Sequence, residues 1–206
     1  KAALQGFDFV MMDPYFIRYR SLSGIADWIK KGDAASNGTK PVWMVPQAFT
    51  IGNSPWSEPT CEELRCEAYI SIVHGVKGFV WYAFWTSEQW KENPKGRNQW
   101  VLPDSKLWDY FTILNKQINE MSPVYLTGKS EGPVKCTSKD IHTNRWTYKG
   151  KTYIIAVNPE NKPVKCNIGG FGSKDAEVVY ESRSVTPADS KISESFKPLE
   201  VHIYKF

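Results

Sequence analysis

Two polar side chains, Asp13 and Gln47, each stand at or just past the end of a short apolar run. Aromatic residues collect at the same kind of position: Tyr15, Trp81, Tyr82 and Trp85, with Glu88 just beyond. A carboxylate so placed can serve as general acid, general base or nucleophile. Aromatic faces beside a few hydrogen-bonding groups suit sugar rings, whose C–H faces stack while their hydroxyls find polar partners. Asp13 and Gln47 are therefore the candidate catalytic groups. Tyr15, Trp81, Tyr82, Trp85 and Glu88 are the candidate substrate contacts.

The elements that must position them read as strands and helices in alternation. Residues 7–12, FDFVMM, form an apolar strand closed by Asp13-Pro14-Tyr15, and the proline holds Asp13 extended. Residues 42–45 form a second run, ending at Pro46-Gln47, and residues 79–85 a third. Such runs fit strands buried on both faces of a parallel sheet. Between the second and third, Thr60-x-x-Glu63 has the form of a capping box, and Leu64, Ala68, Ile72 and Val73 follow at helical spacing to His74-Gly75. Strand, helix and strand make a right-handed βαβ unit. Ligands in α/β folds sit at the carboxyl ends of such strands.

Ser21 or Ser23 is expected to cap a helix over residues 24–31 with Ile25, Trp28 and Ile29 inward. Residues 32–40 read as a polar loop carrying the glycosylation sequon Asn37-Gly38-Thr39. Residues 86–103 read as a long loop, of a length often functional. Asp104 or Ser105 then caps a helix to about Met121, with Leu107, Trp108, Phe111, Leu114 and Ile118 on its apolar stripe, stopped by Ser122-Pro123. From Gly128 the pattern changes to short candidate strands at 134–137, 141–148, 151–158, 164–168, 176–180 and 199–204. The chain thus divides into an α/β part, residues 1–126, and an antiparallel β-domain, residues 127–206.

Composition narrows the function classes. The 206 residues carry 26 basic and 22 acidic side chains, interleaved, for a net charge of +4, which argues against nucleic acid as partner. No apolar run approaches the ~20 residues that span a bilayer. There is no G-x-G-x-x-G and no G-x-x-x-x-G-K-[ST], so no organic cofactor is expected. His74, His142 and His202 do not fall at metal-ligand spacings, so no metal is expected either. Four cysteines, the sequon and nine tryptophans point to a secreted or extracellular glycoprotein. Cys136 and Cys166 lie on strands that a disulfide could bridge. Cys61 and Cys66 could be joined only if the first turn of their helix is irregular. The start at Lys1, almost directly into a strand, reads as part of a longer polypeptide.

DPY at a strand end, PVWMVPQAF, PT-x-E-E-L-R at the helix start, AYISIVHGVKGFVWYAFW and TYIIAVNPENKPV together resemble the C-terminal half of (β/α)₈-barrel glycoside hydrolases. The nearest are β-galactosidase-like and related bacterial proteins with a trailing β-sandwich. The resemblance covers nearly the whole chain. It implies that residues 7–13, 41–49 and 78–85 are barrel strands 6, 7 and 8, completed by a missing N-terminal half. In the large clan of retaining glycosidases the nucleophile is a Glu at the end of strand 7, and the acid/base is a Glu at the end of strand 4. Here strand 7 ends in Gln47, and a neutral amide cannot form a glycosyl ester. The resemblance leaves Asp13 as the strand-end carboxylate and Trp85 as the platform beneath a sugar. Two readings follow: a carbohydrate-binding protein that hydrolyses glycosidic bonds, and a non-catalytic glycan-binding or structural protein on a degenerate barrel. A free-standing α/β binding module ranks last, because three two-sided strands need more sheet beside them.

Overall fold

The computed structural model describes residues 6–17, 20–51, 58–83, 98–100 and 106–206. Three parallel strands, β1 (Val10–Met12), β2 (Val42–Met44) and β4 (Gly78–Phe79), form one sheet in the order β1-β2-β4. Met11 stands opposite Trp43, and Trp43 opposite Gly78. Helix α1 (Gly24–Ala35) packs on this sheet, and α2 (Cys61–Val73) packs against α1 and shares the sheet's apolar core. A short antiparallel pair, β3 (Phe49–Ile51) with β5 (Asn98–Trp100), follows β2. The strand β5 falls inside the expected long loop.

The capping box forms as the sequence predicts. Thr60 Oγ1 accepts from the Glu63 amide at 3.2 Å, and the Glu63 carboxylate accepts from the Thr60 amide at 2.7 Å. Nearly every residue of α2 is buried, because a second layer lies on its other side. That is the pattern of a helix enclosed all round rather than of a surface helix.

Four expectations are corrected. Helix α1 runs on to Ala35 through Gly32, past the expected end at residue 31. Gly32 is buried, and a Cβ there would meet the Met12 side chain at 3.0 Å, so the missing side chain lets helix and sheet approach closely. Within α1, Trp28 points outward, under the Lys31 ammonium at 5.5 Å, while Ile25 and Ile29 are buried. Helix α3 (Lys106–Thr127) likewise passes Pro123 instead of stopping there. Proline removes the amide that would bond Asn119, but the Ser122 hydroxyl takes that carbonyl at 2.8 Å. Trp108 of α3 is half-exposed, whereas Leu107, Phe111, Leu114 and Ile118 are buried.

The rest of the chain is antiparallel. A six-stranded sheet has the order β11-β10-β13-β8-β7-β6, built from β6 (Lys129–Gly132), β7 (His142–Tyr148), β8 (Lys151–Val157), β10 (Ala176–Val178), β11 (Arg183–Val185) and β13 (Val201–Lys205). A two-stranded sheet pairs β9 (Val164–Gly169) with β12 (Lys191–Phe196). Strands β6, β11 and β12 were not anticipated, and 134–137 contributes only a single bridge, Cys136 to Ile168. Strand β8 explains the layering. Its Ile155 and Val157 join the core formed with α2 and α3, and its Ile154 and Ala156 join the core shared with β9 and β12. Alternate side chains face alternate layers, so Ile154 to Val157 are apolar throughout. No helix among the described residues is long and apolar enough to cross a membrane.

The parallel sheet is not buried on both faces as expected. One face meets the helices through Val42 and Met44. On the other, Phe7, Phe9, Met11, Val80 and Tyr82 are all more than a third exposed, and Met11 reaches 44%. The Phe9 ring stacks on Trp43 there, centroids 4.7 Å apart.

Candidate functional site

Polar and aromatic side chains converge just past the carboxyl ends of the three parallel strands. Asp13 follows β1 and is exposed. Tyr15, two residues on, lies over the strand ends with its ring 5.0 Å edge-on to Phe49 and 6.2 Å from Tyr82 in near-parallel orientation. Phe49 is also edge-on to Tyr82, at 5.6 Å. Gln47 follows β2, pairs with Tyr82 as a parallel bridge, and receives its neighbour's support through Ala48 N–H to Tyr82 O at 2.6 Å. Burial is the main reason the Tyr15 phenol is pushed up to about 12, and the negative charge of Asp13 adds to it. At neutral pH Tyr15 is a hydrogen-bonding phenol beside a carboxylate.

Gln47 is fully buried, and its Nε2 donates to the Phe49 carbonyl at 3.1 Å. Its amide shapes the strand end rather than opening to solvent. Trp81 stands apart from Asp13, Tyr15 and Tyr82. Its indole N–H donates to Asn115 Oδ1 of α3 at 3.0 Å, and its ring meets Phe111 edge-on at 4.9 Å. Successive strand residues face opposite sides, so Trp81 and Tyr82 could not both point at one ligand. Trp81 instead lines a separate cavity of about 260 Å³ with Ala48, Ala83, Trp108, Phe111 and Asn115. Trp85 and Glu88 lie outside the described residues.

One residue at the strand ends escaped the sequence reading. Glu67 projects from α2 and is 1% exposed. Burial pushes its carboxyl well above the ordinary range, nearby Glu63 adds to this, and the Gln47 backbone amide works against it. Glu67 thus lies behind the strand ends, close enough to act electrostatically on Tyr15. The available signal was a carboxyl three residues after Leu64 and one before Ala68, inside an apolar stripe.

The four cysteines are free thiols, so the expected disulfides are absent. Cys61 and Cys66 sit on one regular helix, where five residues turn about 140° too far for their side chains to meet. Cys136 stands opposite Ile168, hence diagonal to Cys166, and a disulfide needs Cβ atoms ~3.8 Å apart. Asn37 of the sequon is exposed, just after α1. Among the described residues no three His, Cys, Asp or Glu side chains gather as a metal site requires.

No protein-family description and no curated protein matches the chain. Solved structures do. AmyP in complex with maltose aligns with a TM-score of 0.60 at 8% identity, over 90% of this chain and 46% of that one. The maltogenic alpha-amylase AmyB from Thermotoga neapolitana gives 0.61 at 13%, over 100% and 52%. An alpha-amylase from Geobacillus thermoleovorans complexed with acarbose gives 0.57 at 11%, over 98% and 54%. At these identities the likeness is one of fold: the chain is folded like part of a glycoside-hydrolase barrel protein. It spans about half the length of the structures it matches.

Proposed function

We propose that the strand-end face of this chain binds carbohydrate as part of a glycoside-hydrolase-like barrel. The observation that carries this reading is the convergence of Asp13, Tyr15, Phe49 and Tyr82 at the carboxyl ends of parallel strands. A phenol ring offers a stacking face, and Asp13 offers an acceptor for sugar hydroxyls and a carboxylate for acid–base work. In a hydrolytic version Asp13 needs a second carboxylate about 5–10 Å away. Tyr15, Tyr82, Trp85 and Glu88 complete the substrate surface in this reading, and the β-strands of residues 127–206 support the barrel from outside.

The open sheet face is part of the same proposal. Parallel sheets are normally covered on both faces. Among the described residues one face leaves Phe9, Met11 and Val80 exposed and β1 and β4 end the sheet, and the matching structures are about twice as long. The occupant we infer is a set of further βα units from the same polypeptide, exported from the cell and glycosylated at Asn37.

A specific observation favours the non-catalytic version: Gln47 is neutral, buried and committed to the Phe49 carbonyl. Titration calorimetry of the natural polypeptide against α- and β-linked oligosaccharides tests binding, with Asp13→Asn and Tyr82→Ala as variants. Weaker binding in both variants supports the site. Binding of no oligosaccharide, or unchanged affinity in both, removes it. Aryl-glycoside hydrolysis lost in Asp13→Asn, with binding retained, separates cleavage from binding alone.

A further inference from the structure

We infer that the His74–His142 contact is an acid-release latch on the seam between α2 and β7, closed while no more than one of the two rings is protonated and opened when both are. The seam lies away from the strand ends, and the latch stands independently of the carbohydrate reading.

Two polar contacts join the end of α2 to β7. His74 caps α2, and its Nε2 lies 2.7 Å from Nδ1 of His142, the first residue of β7. The rings meet edge-on with centroids 5.0 Å apart. Beside them Asn144 Nδ2 donates to the Val73 carbonyl at 3.0 Å. Beneath both contacts Val73 and Trp146 belong to one apolar core. Of the two polar contacts, the histidine pair is the one that protons can undo. The helix end does not depend on it. Gly75 N–H donates to Ile72 O at 3.0 Å and Val76 N–H to Ser71 O at 3.1 Å, with Gly75 at φ +96°, so α2 closes in a Schellman motif. The two rings border an open cavity of about 280 Å³, lined also by Lys139, Ile141 and Thr143. Water reaches the pair through it, and a displaced ring has space there.

The contact sets the condition for release. Two nitrogens 2.7 Å apart share one hydrogen, so one of them must accept. When both rings are imidazolium, each facing nitrogen carries a hydrogen and two like charges stand side by side. Burial is the largest influence on both rings; it lowers His142 and brings His74 down to about 4. Lys30 of α1 pushes both the same way, and His142 adds to the effect on His74. Asp27 of α1 opposes it at both rings, and Asp140 and Glu160 oppose it at His142. Asp140 is itself paired with Lys162 at 2.7 Å, and Glu160 accepts from Ser21 Oγ at 2.7 Å. Lys139 is the remaining charged group on the cavity wall. A histidine in water titrates near ~6.5. Opening the latch therefore takes up protons as pH falls from there toward about 4.

The test is an NMR titration of the whole chain from pH 8 to 3.5. Imidazole nitrogen shifts report protonation, ring–ring NOEs report the closed contact, and backbone amide shifts report the fold. The second protonation of the pair is expected near pH 4, about two units below the free ~6.5. The ring–ring NOEs should vanish across that step, while the amide shifts of α2 and of β8 stay native. In His142→Asn an amide that takes no proton replaces Nδ1, so its NOEs to the His74 ring should persist through the same step. Two rings that both titrate near ~6.5 overturn the proposal. So do ring–ring NOEs that survive double protonation, and so does loss of the native α2 and β8 shifts in the same step. If His142→Asn does not fold, the three wild-type readings decide the matter by themselves.

Discussion

The Trp43 indole lies flat against Gly78 on the neighbouring strand. A Cβ at position 78 would come within 2.6 Å of two ring carbons. Trp43 in turn carries the stacked Phe9 ring, so three strands are tied through one contact on the open face. Gly78→Ala forces the indole off the sheet, and overpacking of this kind costs about 1–3 kcal/mol. Urea unfolding should show a lower midpoint with an unchanged slope. A midpoint equal to wild type would mean that Trp43 swings aside freely.

Helix α2 depends on its first turn for a different reason. The Thr60 hydroxyl and the Glu63 carboxylate each satisfy one amide that the helix itself cannot. Thr60→Ala removes one of the two acceptors, and a loss of about 1 kcal/mol is expected. Thr60→Ser keeps the oxygen and should stay close to wild type. Equal melting of all three proteins would show that the box adds nothing here.

What the sequence made legible was what is decided locally or by strict periodicity. The capping box depends on four adjacent residues, and the three parallel strands on short apolar runs. The change to antiparallel pairing near Gly128 shows in turn residues and alternation. What escaped depends on partners distant in sequence. Pro123 reads as a stop, and only the Ser122 hydroxyl at the Asn119 carbonyl makes it tolerable inside α3. Gly32 reads as loop until Met12 is seen against it. Trp28 and Trp108 fit apolar stripes, yet each sits at the stripe's edge and faces outward. At the candidate site, Asp13, Tyr15 and Tyr82 are placed by strand ends and were foreseeable. Glu67 enters from a helix, and its position behind Gln47 follows only from how α2 crosses the sheet.

His74 Nε2 and His142 Nδ1 lie 2.7 Å apart where the end of α2 meets β7. One nitrogen must donate and the other accept, so the contact requires that the pair is not doubly protonated. Burial lowers His74 to about 4, helped by His142 and Lys30 and opposed by Asp27; His142 is lowered as well, with Glu160, Asp140 and Asp27 opposing. Both are bases whose folded values lie below the unfolded ~6.5. The unfolded chain therefore takes up protons first as pH falls. The stabilising contribution is full above about pH 6.5 and is lost progressively toward pH 4. Melting temperature should fall across that window, and His74→Gln should flatten the fall. Parallel pH profiles for the two proteins would exclude the pair as the cause.

The buried Glu67 carboxyl gives the opposite slope. Its folded value is raised above the unfolded one, chiefly by burial. Between the ordinary ~4.3 and that raised value the folded chain holds a proton that the unfolded chain has released. Stability from this group is therefore present at low pH and declines as pH rises through the interval. Glutamine has the same shape and no proton to lose. Glu67→Gln should leave stability near pH 4 unchanged and raise it at pH 7, so that the two curves diverge with pH. An infrared band of a protonated carboxylic acid at neutral pH, present in wild type and absent from Glu67→Gln, would give the same answer spectroscopically. Curves that stay superimposed from pH 4 to 8 would mean that Glu67 is ionised in the folded chain. A cation or a polar neighbour would then have to reach it there.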